Sequence, residues 1–197
     1  MLLFGRLQKC ADIRSVLNCA LDRSLELTGT CFGNVQLMDW RSGHLEIKAQ
    51  RGFQSEFLNF FERVKFDHGS ACARALRNRD TIVIDDIMTD EQFSPYREIG
   101  CRAGIRSVLS TPLVSSSGAL LGVLSVHFTM AQRPTDMQVR GMTEAAELAA
   151  DEIIRLRAIN GDGMLNALGV LLQSREAIIT AEKLISRDVL LPAINLQ

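Results

Sequence analysis

Apolar and polar residues recur with a clear period over most of the chain. Ile13, Leu17, Ala20, Leu21 and Ser24 fall at spacings of three and four, so roughly Leu3–Thr28 is expected as an amphipathic helix. Gly29 closes it, because glycine takes the left-handed cap conformation without a Cβ penalty. Phe32–Asp39 and His44–Arg51 alternate on either side of Arg41-Ser42-Gly43 and predict a hairpin. Ser55–Val64 reads as a short helix and His68-Gly69-Ser70 as a loop, with Ser70 capping a helix over Ala71–Arg79. Thr81–Ile84 is a short strand that Asp85-Asp86 ends. From Met88 to Cys101 the pattern is irregular, and a long loop of that kind in a compact domain is often functional.

The second half of the pattern is stronger. Ile105–Val114 and Ala119–Phe128 are rich in β-branched and aliphatic residues and flank Ser115-Ser116-Ser117-Gly118, which predicts a second hairpin. Pro112 places its strand at a sheet edge or a bulge, because proline cannot donate to a ladder. Pro134 and Thr135 then open a helical run to about Ala158. Val139, Met142, Ala146, Ala149, Ile153 and Leu156 form a narrow heptad-like seam along it. This seam is expected partly to cover the domain's own sheet and partly to pair with a second subunit. Asn160-Gly161-Asp162-Gly163 marks a linker. It divides a domain at residues 1–159 from a helical extension at 160–197, with helices expected over Met164–Leu172 and Arg175–Val189.

Composition narrows the classes. The 197 residues are 47% apolar, enough for one packed domain with residues to spare. A formal net charge of -1 gives no excess of positive charge to neutralise phosphates, which argues against a dedicated nucleic-acid binder. The longest apolar run is too short to span a bilayer, and MLLFGRLQK lacks the apolar length of a signal peptide. Five cysteines without a CxxC pair fit reduced thiols rather than a disulfide framework or a zinc site. A cytoplasmic protein with no membrane partner is the expectation.

Four segments in order carry a resemblance. They are Gly69-Ser70-Ala71-Cys72-Ala73-Arg74-Ala75-Leu76, Ile82-Val83-Ile84-Asp85-Asp86-Ile87, Gly104 through Leu113, and Gly118 with Leu121-Gly122-Val123-Leu124. With the order of elements, they make the stretch from about Ile13 to Ala158 look like a GAF domain. The resemblance implies an α+β fold: a six-stranded antiparallel sheet sandwiched between helices, as in GAF and PAS domains. The first and last helices would cover one face, and short helices with the long loop would roof the other. It further implies a small-molecule pocket under that roof, dimerisation through the terminal helices, and a sensory rather than catalytic role feeding a kinase or transcription effector.

Strand parity suits a pocket wall. Asn34 and Gln36 lie opposite Val35 and Leu37. Arg106, Val108 and Ser110 share one face, as do Ser125 and His127. Phe57, Phe60, Phe61, Phe66, Phe93 and Tyr96 require burial against something. The candidate ligand-binding residues are therefore Cys72, Asp86, Phe93, Tyr96, Cys101, Arg106, Val108, Ser110 and His127; ligand and cofactor stay unknown. A pocket-wall Arg106 would suit a carboxylate or phosphate, or else would pair with Asp85 or Asp86. His127 would ligate haem iron or serve as a packing residue.

Other members of the family resemble this chain less well. The Asn-Lys…Phe…Asp-Glu signature of cyclic-nucleotide-binding GAF domains is absent, and no cysteine precedes a histidine as in many bilin-binding relatives. The enzyme alternative is free methionine-R-sulfoxide reductase, whose cysteines fall near Cys72 and Cys101. Arg102 and Val108 stand where that family places carboxylates, so no acid would polarise the sulfoxide. Ser174 through Ile185 is similar to the first helix of an ANTAR-type RNA-binding antitermination domain, with Lys183 in place of a glycine. That likeness supplies a second alternative.

Overall fold

The computed structural model describes residues 10–159. The linker, the extension with its likeness to an antitermination domain, and the expected helix start at Leu3 all lie outside those residues. Helix α1 spans Ile13–Thr28 and begins where Asp12 accepts the Ser15 N–H at 2.7 Å, which satisfies one of the free amides of its first turn. It ends at Gly29, with φ of 70° and its N–H donating to the Leu25 carbonyl. Strands β1 (Phe32–Asp39) and β2 (His44–Arg51) form the expected hairpin.

The expected helix over Ser55–Val64 is shorter. Helix α2 stops after Ser55–Phe60, and Arg63–Lys65 becomes strand β3, paired with Glu46, Leu45 and His44 of β2. Val64 is buried between exposed Arg63 and Lys65. That alternation over three residues is too short to outweigh the helical spacing of Phe57 and Phe61 in a sequence reading. Helix α3 (Ala71–Asn78) and strand β4 (Ile82–Ile84) follow. The stretch read as irregular is half helical, with a 3-10 turn at Ser94–Tyr96 and helix α4 at Arg97–Arg102. Pro95 sits in the first turn, where its missing N–H costs nothing. Strands β5 (Ser107–Val114) and β6 (Leu120–Phe128) and helix α5 (Asp136–Ile159) complete the domain.

The six strands form one antiparallel sheet in the order β3-β2-β1-β6-β5-β4. The fold is α+β, as expected. β4 pairs only with Val108, Leu109 and Ser110, so Pro112 lies on an open edge beside a register shift at Leu113/Val114. The shift leaves Leu121 without a partner opposite. It puts Leu121 on the same side as Leu124, while Leu120 and Val123 face the other way.

Two separate cores result. Val35, Leu37, Leu109, Leu113, Leu124 and Val126 pack against α1 and α5. Leu45, Ile84, Val108, Leu120 and Val123 pack against α2, α3 and the segment around α4. The seam of α5 belongs to the first core: Met142, Ala146, Ala149, Ile153 and Leu156 are all buried within one chain, and Val139 packs beside them. The part of the expectation that has this stripe cover the domain's own sheet is met, and α1 packs beside it in the same core. Gly141 faces Leu27 of α1; a Cβ there would lie 2.4 Å from Leu27 Cδ2 and would turn that side chain aside.

Because Met142 is fully buried, Met142→Asp should lower the unfolding free energy by about 3–5 kcal/mol, the cost of an uncompensated buried charge. Met137→Asp, five residues earlier and 68% exposed, should change it by about 0.5 kcal/mol or less. Urea midpoints followed by circular dichroism test this, and equal midpoints would place the stripe outside the core.

Candidate functional site

Between the sheet and its roof lies a small cavity. Its floor is Asn34 and Gln36 of β1, Val108 and Ser110 of β5, and Ser125 and His127 of β6. Period-two alternation puts all six on the face turned from α1 and α5. The roof is Phe57 of α2, Phe61, Phe93, Ile105, and the start of α3 with Ser70, Ala71 and Cys72. The cavity encloses about 20 Å³, room for about one water molecule. A larger guest requires the roof to yield.

The floor carries an unusual concentration of polar groups without partners. Among the described residues six buried side-chain nitrogen or oxygen atoms make no hydrogen bond, and five of them are Asn34 Oδ1, Gln36 Oε1 and Nε2, and His127 Nδ1 and Nε2. Such atoms each forfeit a hydrogen bond to water, at a cost of about 1–3 kcal/mol. Nearby, Ser110 and Ser125 satisfy each other across the strands at 2.7 Å. His127 meets the edges or faces of Phe53 and Phe57 at 5.0 and 5.9 Å. Burial holds its imidazole neutral and pushes its pKa down to about 3.

At the roof edge, the Ser70 hydroxyl lies 3.1 Å from His68 Nδ1 and 3.3 Å from Cys72 Sγ. Ser70 occupies the cap position of α3 as expected, but its side chain caps nothing; the imidazole and thiol compete for it. Burial raises the Cys72 thiol's pKa, so the thiolate is disfavoured.

Five of the nine expected residues, Cys72, Phe93, Val108, Ser110 and His127, line the cavity. Four do not. Arg106 precedes β5 and forms an ion pair at 2.7 Å with Asp86, which takes both out of the wall. That bond, with the Met88 N–H, holds the Asp86 carboxyl below its usual range. Tyr96 lies one layer out, its ring stacked on His68 at 4.0 Å and its hydroxyl accepting the Gly69 N–H at 3.3 Å. Cys101 is exposed on α4 against Met88. Cys72 and Cys101 therefore do not share the cavity. Asn34 and Gln36 were missing from the expected set, although their parity with respect to Val35 already assigned them to this face. Their type gave no signal, since both residues usually face solvent on a strand.

Among the described residues no cluster of His, Cys, Asp and Glu could hold a metal ion, and no helix is long and apolar enough to cross a membrane.

The sheet, its two helical layers and the roofed cavity define a class, and the sequence agrees: residues 10–153 match the GAF domain family, and the chain belongs to it. A comparison with curated proteins returns no match. Several solved structures share the fold. The GAF domain of a phosphoenolpyruvate-protein phosphotransferase from Coxiella burnetii aligns with a TM-score of 0.69 at 18% identity, covering 81% of this chain and 92% of that one. Free methionine-R-sulfoxide reductase from Neisseria meningitidis, solved with its substrate, aligns at 0.66 and 19%, covering 80% and 87%. Residues 122 to 287 of a methyl-accepting chemotaxis protein align at 0.64 and 22%, covering 81% and 99%. At these identities the likeness is one of fold.

The buried His127 makes stability depend on pH. The unfolded imidazole, at about 6.5, binds a proton that the folded one accepts only near 3. Stability from this source is full above the unfolded value and declines as pH falls between the two, by about 1.4 kcal/mol per pH unit. His127→Gln should remove that slope. Unfolding free energies of both proteins from pH 7 to 4 test this, and parallel curves would show that His127 is not the titrating group.

Proposed function

We propose that this GAF domain is a non-enzymatic cytoplasmic sensory module whose ligand, a small molecule of unknown identity, occupies the chamber between the sheet and its roof. The observation that carries the reading is the set of five unpartnered buried atoms on Asn34, Gln36 and His127, three residues that line one cavity. A core built only for stability would place apolar residues there. A ligand larger than water must part Phe57, Phe61 and Phe93, and so favours a more open roof over the closed one. It shifts that balance only by its differential affinity for the two.

The floor also offers a route outward. β5 and β6 present cavity residues on one face and Leu109, Leu113, Leu124 and Val126 on the other, against α1 and α5. α5 is tied to the turn between these strands, where Asp151 accepts from the Ser116 N–H at 2.8 Å. Strain in the floor thus reaches the terminal helices, whose outward faces carry the signal to a second copy of the chain or a downstream effector. The reductase alternative is less well supported: Cys72 is buried with a raised pKa, and Cys101 stands apart from it.

Native mass spectrometry of freshly purified full-length protein should show a small-molecule adduct that denaturation releases. Asn34→Leu and Gln36→Leu should fold normally yet lose the adduct. A bare wild-type mass, together with an unfolding midpoint that host-cell metabolite extract leaves unmoved, would overturn the reading.

A further inference from the structure

The lining residues of the chamber constrain the chemistry of what fits it. None carries a carboxylate, ammonium or guanidinium group. The nearby arginines are committed elsewhere. Arg74 pairs with Asp90 at 2.8 Å and Arg106 with Asp86 at 2.7 Å. Arg77 donates to the Phe66 carbonyl and Arg97 to the Ile87 carbonyl. The single titratable floor residue, His127, is neutral over the ordinary range. An ionised guest would lose its hydration without meeting an opposite charge, and desolvation of that kind is among the largest penalties in a protein interior.

The unpartnered atoms specify the complement. Asn34 Oδ1 and Gln36 Oε1 accept, Gln36 Nε2 donates, and a neutral His127 brings one donor and one acceptor. A guest with only acceptors or only donors leaves part of this set unsatisfied. Asn34 and Gln36 are two residues apart on β1, and His127 sits diagonally from Asn34, since Asn34 pairs with Ser125 and Phe32 with His127. Asn34 thus lies roughly 7–8 Å from each of the other two, whereas Gln36, opposite Val123, stands roughly 13–14 Å from His127, so one small ring addresses Asn34 together with Gln36. Above them stand the rings of Phe57, Phe61 and Phe93, surfaces that favour flat partners.

Resting on the sensor reading above, we infer that the ligand is an uncharged, planar ring of the cyclic-amide type, presenting a hydrogen-bond donor beside an acceptor to Asn34 and Gln36. A carboxylate or phosphate ligand, which a free Arg106 would have suggested, is disfavoured.

The test uses the full chain, nitrogen-15 labelled, with four probes: 2-pyridone and uracil as neutral cyclic amides, benzoate as an anion and benzamidine as a cation. The side-chain amide resonances of Asn34 and Gln36, assigned with Asn34→Leu and Gln36→Leu, are the readout. A neutral probe should move both amides saturably, and each Leu variant should weaken its binding at least tenfold while keeping a urea midpoint at or above the wild-type one. Gln36→Met replaces Gln36→Leu if the latter lowers that midpoint. The charged probes should leave both amides in place. Benzoate or benzamidine moving them as strongly as the neutral rings would overturn the ligand class and leave the chamber as a binding site. Silence from every probe up to its solubility limit would overturn the class as well, while the mass measurement judges the sensor reading separately.

Discussion

A single antiparallel sheet buried on both faces is the constraint from which the rest of this domain follows. Every residue of β6 is buried, so alternate side chains must find partners in two cores that never touch. On one side the requirement is met by apolar packing against α1 and α5. On the other, the central strands present Asn34, Gln36, Ser110, Ser125 and His127 to a roof of aromatic side chains. Burying that much polar surface is unfavourable unless hydrogen bonds replace those lost to water. Only the two serines satisfy each other.

The two faces thus have different tasks. The α1–α5 layer is a continuous apolar core built on two long helices. The roof is assembled from shorter elements packed into the second core, joined by polar contacts such as Arg74 to Asp90 and Gly69 to the Tyr96 hydroxyl. A guest in the chamber would press on the roof directly and on the helical layer only through the sheet.

Much of this was legible in the chain. The two hairpins, the glycine that ends α1 and the long last helix follow from period and turn chemistry, which act over a few residues. The third strand was hidden because Arg63–Lys65 exists only through its pairing with β2, and helix α4 because its residues show little apolar period. Arg106 illustrates the limit for the site: its parity suggested the pocket wall, yet a carboxylate twenty residues earlier turned it outward.

Sequence alone determined the alternation that sends Val35 and Leu37 one way and Asn34 and Gln36 the other, since side-chain direction on a strand is a local property of the backbone. Which of those faces would meet a helix layer and which a chamber, and whether Asn34, Gln36 and His127 would find partners there, depended on strands and helices brought together from across the chain. Hydrogen-bond satisfaction is a property of that assembled neighbourhood, and no run of neighbouring residues contains it.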